Sequence, residues 1–122
     1  MEQQRIITLL TDFGLTDSFV GVMKGVLLSQ GPGATLVDIS HNIRAGDIRA
    51  AARTLWASYP FFPRGSVHLV VVDPGVGTAR KILALRADQH IFVGPDNGLF
   101  TPLLERKLVE EVRILENAAL FM

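Results

Sequence analysis

Two stretches of this chain are apolar almost without interruption at strand length. They are Arg5–Thr11 (RIITLLT) and Ser66–Val72 (SVHLVVV), and each runs straight into an aspartate, Asp12 and Asp73. A strand exposed on one face alternates polar and apolar residues, so continuous runs of this kind belong to central strands covered on both faces. Between them the periodicity changes. From Ser18 to Gln30 the apolar residues Phe19, Val22, Met23, Val26 and Leu27 recur at helical spacing. Asp17 or Ser18 is placed to cap that helix, and Gly31-Pro32-Gly33 to stop it. Ala34–Ser40 (ATLVDIS) reads as a strand with Asp38 and Ser40 near its end. Ile48, Ala51, Ala52, Leu55 and Trp56 form the stripe of a second helix capped by Asp47, and Tyr59–Gly65 breaks it with two prolines and a glycine.

Beyond Asp73 the pattern shortens. Ile82–Ala87 and Ile91–Gly94 are short strands about a turn at Asp88–His90, a hairpin. Pro95–Gly98 (PDNG) has turn composition. Leu99–Lys107 reads as a short helix, with Pro102 confined to its first turn. Val109–Leu115 alternates like a strand. The order strand, helix, strand, helix, strand, hairpin, helix, strand argues an α/β fold with a parallel portion and an antiparallel extension. At 122 residues there is room for one modest domain.

In open α/β sheets ligands bind beyond the carboxyl ends of the strands. Three polar clusters fall there: TDFGLTD after the first strand, DISHN at the end of the second, and DPGVGT after the third. If these strands are parallel neighbours, Asp12, Asp38 and Asp73 approach one rim, and PDNG joins them. The glycine loop after Asp73 is not a P-loop, because no Gly precedes Lys81. It is not a dinucleotide fingerprint either, because a strand follows it. Formal charge is zero and the cations are scattered, so no nucleic-acid footprint is expected. No apolar run reaches the length of a membrane span. The absence of cysteine removes disulfides and thiolate metal sites and fits a cytosolic protein.

Four segments taken together, LLTDFGLTDSFVGVMKGVLL, DISHNI, VHLVVVDPGVGTARK and VGPDNGLFTPLL, resemble the N-terminal domain of the S-adenosyl-L-methionine (SAM) hydroxide adenosyltransferases. These adenosine-forming SAM hydrolases are relatives of the fluorinating and chlorinating SAM enzymes. The resemblance covers essentially the whole chain. It implies a three-layer domain, a mixed and largely parallel sheet flanked by helices. It also implies that residues 1–122 are truncated before a C-terminal β-barrel domain, which the apolar ending Ala119–Met122 fits.

The implied reaction is attack of water or hydroxide on C5′ of SAM, releasing adenosine and methionine, with no metal or other cofactor. By resemblance the catalytic aspartate and arginine are Asp73 and Arg80. Asp12 holds the ribose hydroxyls, and Phe13, Ser40, Asp96 and Asn97 complete the substrate-binding set. The family's catalytic histidine lies in a later motif, which His41, His68 and His90 do not match. Halogenating relatives carry Tyr-Pro where this chain has Asp73-Pro74, and a carboxylate there repels halide. The resemblance further implies a cytoplasmic homotrimer with its site shared between subunits. The rival expectations are a non-catalytic SAM- or adenosine-binding module, and a purely structural oligomerising fragment.

Overall fold

A computed structural model describes residues 5–74 and 81–115. The elements in order are β1 (Arg5–Thr11), α1 (Phe19–Gln30), β2 (Ala34–Ser40), α2 (Ile48–Ser58) with a 3₁₀ turn at Tyr59–Phe61, β3 (Val67–Val71), β4 (Ile82–Ala87), β5 (His90–Pro95), α3 (Thr101–Glu105) and β6 (Val109–Leu115). They form one six-stranded sheet in the order β2-β1-β3-β5-β4-β6. The β2–β1, β1–β3 and β3–β5 pairs are parallel, and β4 runs antiparallel to both β5 and β6. The α/β architecture is the one expected, a largely parallel sheet with an antiparallel extension.

Each junction has a local cause. Asp47 caps α2 by accepting the Ala50 N–H at 3.0 Å. The β4–β5 hairpin turns on Asp88 and Gln89, both at positive φ (49° and 64°), the pairing of values that a two-residue hairpin loop requires. Pro102 sits in the first turn of α3, where its missing N–H costs nothing.

The order of strands decides where a site can form. From β1 the chain passes through α1 to β2 on one side, then through α2 back past β1 to β3 on the other. The connections to either side of β1 therefore run in opposite directions, and right-handed crossovers then place α1 and α2 on opposite faces. The carboxyl ends of β1 and β3 flank this topological switch point, where open α/β sheets leave a crevice.

The main core lies on the α2 face. Leu10, Val70, Leu85 and Phe92 of the sheet and Val72 just past β3 meet Ala51 and Leu55 of α2, Tyr59, and Leu103 of α3, all buried. Each large side chain withdrawn this way contributes roughly 1.5–3 kcal/mol.

Two expectations about α1 are corrected. Ser18 occupies the N-cap of α1, but its side chain makes no capping bond, and Asp17 is exposed. The apolar stripe of α1 is split: Phe19, Val22 and Val26 are 62%, 61% and 53% exposed, Met23 and Leu27 are half-buried, and Val20 is the buried residue of the helix. That helix is apolar around most of its circumference, so spacing alone could not say which side meets the sheet. Phe61 is 87% exposed and Phe62 half-buried. Among the described residues no helix is long and apolar enough to cross a membrane.

Candidate active site

Asp12 follows the last residue of β1, and Asp73 stands two residues past the end of β3. The strands are in register up to Thr11 against Val71, and the Asp12 N–H reaches the Val71 carbonyl at 3.4 Å. The two acids thus leave adjacent strand ends at the switch point, both half-buried. Asp12 Oδ2 accepts the Gly46 N–H at 2.7 Å, which ties the first loop to the loop after β2.

Gly46 also meets the third loop. Its φ is +70°, and a Cβ there would stand 2.9 Å from the Pro74 Cβ. A side chain at 46 would be both strained and in collision with the residue next to Asp73. From the far side, Asn97 donates its side-chain amide to the Val72 carbonyl at 2.9 Å and accepts the Leu99 N–H at 3.2 Å. Four loops therefore converge on the rim, as anticipated, with Asp12, Asp73 and Asn97 brought in by neighbouring strands.

The other candidates are placed differently. Phe13 lies against Phe19 with ring centroids 6.0 Å apart. Ser40 spends its hydroxyl on its own turn, accepting the Asn42 N–H at 3.1 Å. Asp96 is exposed, its backbone N–H bonded to the Lys81 carbonyl at 2.9 Å. Arg80 lies outside the described residues.

Asp38 does not join the rim. It pairs with Leu9 inside the sheet and turns toward α1, where Lys24 Nζ lies 2.8 Å from Oδ2 and His41 Nε2 lies 2.9 Å from Oδ1. Burial alone pushes its pKa up, but the Lys24 and His41 contacts outweigh that and hold it below the ordinary carboxylate value. Asp38 is thus committed to an ion pair behind the site.

The sequence reading missed two contributors. Gly46 is visible in sequence only as one more loop glycine. His41, a minor candidate in sequence, is buried and bonded on both ring nitrogens. Among the described residues no group of acid, histidine or cysteine side chains is arranged to hold a metal ion. A recess of about 400 Å³ does open between α2 and α3, beside Trp56 and lined by Arg49, Arg53 and Arg106. Among the described residues its lining holds no carboxylate, only the Thr101 hydroxyl beside the arginines, whereas Asp12 and Asp73 stand at the rim.

An α/β domain with its acids at the switch point belongs to the ligand-binding class of open-sheet domains. The comparison with known proteins narrows this class. The chain belongs to the SAM hydroxide adenosyltransferase N-terminal domain family, whose model matches residues 7–120. It is 48% identical over 97 residues to an (R)-S-adenosyl-L-methionine hydrolase of Thermus thermophilus, covering 80% of this chain and 38% of that protein. It is 41% identical over 112 residues to the protein of the same name from Methanocaldococcus jannaschii, covering 88% of this chain and 42% of that one. A fluorinase of an Actinoplanes species is 32% identical over 123 residues, covering 82% of this chain and 41% of the fluorinase. Among solved structures, an uncharacterized conserved protein from Thermotoga maritima superposes with a TM-score of 0.86 at 40% identity, over 93% of this chain and 44% of that one. The chain spans about two-fifths of the length of the curated relatives it matches.

Proposed function

We propose that this domain forms the nucleophile-and-ribose half of an enzyme that hydrolyses SAM to adenosine and L-methionine. The observation that carries the reading is the side-by-side delivery of Asp12 and Asp73 by β1 and β3 at the switch point, in a chain of this family. Water attacks C5′ in line with the C5′–S bond. The new C–O bond forms as the C–S pair returns to sulfur, giving neutral methionine, and the water's second proton leaves to base. The sulfonium is already an activated leaving group, so the protein's task is orientation, worth roughly 7–11 kcal/mol in favourable cases.

Asp73 orients the water or takes its proton, and Arg80 stabilises developing hydroxide. Asp12 holds the ribose diol, with Phe13, Ser40, Asp96 and Asn97 around the substrate. A carboxylate about 4 Å from the sulfonium gains on the order of 4 kcal/mol at an effective dielectric near 20. That attraction acts on the ground state too, so it favours binding more than rate. No resident metal or cofactor enters the scheme. Asp73 supports hydrolysis over halide transfer, since a carboxylate at the nucleophile's place repels an anion.

The whole protein is read as a cytoplasmic homotrimer that does not act on nucleic acid or membranes. The exposed apolar face of α1 supports association. Chromatography with mass detection after incubating the whole protein with SAM tests the activity. Equal adenosine and methionine are expected, with Asp73→Asn and Arg80→Ala each removing most turnover while the fold persists. Wild-type rates in both variants sink the assigned roles. The alternative is a binding module that takes adenosine without turnover, told apart by calorimetry that shows adenosine binding where no methionine is released from SAM.

A further inference from the structure

Behind the rim, on the α1 face, four side chains form a chain of hydrogen bonds that ends at the loop carrying Asp12. Lys24 Nζ donates to Asp38 Oδ2 at 2.8 Å, and Asp38 Oδ1 lies 2.9 Å from His41 Nε2. His41 Nδ1 is 2.7 Å from Thr11 Oγ1, and that oxygen accepts the Phe13 N–H at 3.2 Å. Thr11 and His41 are both buried.

For a neutral His41, counting donors gives the direction of every bond. A carboxylate accepts, so His41 carries its proton on Nε2 and gives it to Asp38. Nδ1 is then an acceptor and takes the Thr11 O–H. Thr11 Oγ1 keeps its lone pairs for the Phe13 N–H. Every group is satisfied in this arrangement. The reverse tautomer would leave Nε2 without a proton for Asp38. His41 holds the loop a second time through its backbone, since its carbonyl accepts the Gly14 N–H at 2.7 Å. The Gly46 N–H on Asp12 Oδ2 closes the same two loops from the other end.

We propose that His41 is a positioning residue for Asp12: through Thr11 and its own carbonyl it sets the backbone of residues 11–14, and so the direction of the Asp12 carboxylate. With Oδ2 committed to Gly46, and no bond to Oδ1 among the described residues, the loop presents one carboxylate oxygen outward. The importance of this aim rests on the reading of Asp12 as the ribose-diol ligand. Lys24 and Asp38 serve one step back, fixing the His41 tautomer.

The test uses two variants and two readouts on this chain. His41→Leu removes both ring bonds. His41→Asn keeps an acceptor at the Nδ1 position and preserves the Thr11 bond. Amide hydrogen exchange by NMR at Phe13, Gly14 and Gly46 is expected to speed up about tenfold or more in His41→Leu and to stay near wild type in His41→Asn, with the Leu55 amide as the global control. Unchanged exchange at Gly46 in His41→Leu overturns the proposal, as does loosening that spreads equally to Leu55.

The second readout is adenosine affinity by calorimetry for Asp12→Asn, His41→Leu and the double variant. Each single change is expected to weaken binding about tenfold, and the pair no more than Asp12→Asn alone. Additive losses mean that His41 acts independently of Asp12 and overturn the proposal. If adenosine fails to bind wild type, or binds Asp12→Asn equally well, the ribose role of Asp12 falls. The exchange data alone then decide whether His41 sets the loop.

Discussion

Lowering the pH from neutrality should destabilise this domain before its carboxylates titrate, through His68. Its side chain is fully buried at the start of β3. Nδ1 lies 2.6 Å from Thr8 Oγ1 and Nε2 3.0 Å from His90 Nδ1. The Phe92 ring stacks on it at 5.1 Å, and Tyr59 and Phe62 face its edges. An imidazolium there gains a positive charge with no carboxylate bonded to it among the described residues and with a second histidine beside it. Burial first, and His90 second, lower its pKa from 6.5 to about 4.

A depressed histidine pKa means that the unfolded chain binds more protons between those two values. Stability is therefore complete above about pH 6.5 and is lost as pH falls toward 4. At about 1.36 kcal/mol per pH unit the gap amounts to roughly 3 kcal/mol. His90 is shifted the same way by burial and adds to the loss. Asp38, whose pKa is lowered, loses its contribution only at still lower pH, below the ordinary carboxylate value, so the two windows separate.

Urea unfolding at stepped pH measures the effect. For a slope near 1.5 kcal/mol/M the midpoint should drop by about 2 M between pH 7 and 4 with the slope unchanged. His68→Phe is expected to start less stable, because Thr8 and His90 lose a partner, but to show a flatter profile across this window. An equally steep profile in His68→Phe would refute the assignment of the proton uptake to His68.

Other consequences are as direct. Gly46→Ala places a Cβ in the left-handed region and against Pro74, so a loss of at least about 1–2 kcal/mol is expected, read as a lower thermal midpoint, with weaker adenosine binding because two site loops move. Tyr59 is the chain's single tyrosine, and burial, then Asp88 at 3.1 Å, raise its pKa to about 12. Absorbance titration of the folded chain should place the phenol there, with stability falling as pH rises past 10; a midpoint near 10 in folded protein contradicts the buried contact. Phe19→Ser with Val22→Ser removes two residues of the exposed α1 face, and sedimentation should show less self-association with little change in unfolding midpoint. The Asp73 and Arg80 variants test catalysis as described above.

The acids of the candidate site were legible in the sequence for a physical reason. A central strand must be apolar through the sheet, so its first carboxylate marks where the chain leaves it. Asp12 and Asp73 are marked in this way, and parallel neighbours put such exits on one edge. Asp38 shows where this reasoning stops. It too ends an apolar run, but it lies opposite Leu9, one residue before β1 reaches Leu10 opposite Ser40, with an irregularity between these pairs. Its side chain consequently falls on the α1 face, beside Lys24, and not at the edge.

Whether an acid near a strand end faces a ligand or a helix thus depends on register and on a local irregularity, and no composition or spacing encodes either. The same limit hid which side of α1 meets the sheet and the bonds made by His41. Both follow from which face of the sheet each helix covers, a consequence of the reversal at β1. The loops that make the site are consequently held from behind by residues whose importance appears only once the strand order is known. In this domain the geometry of Asp12 is as much a property of β2 and α1 as of the strand that carries it.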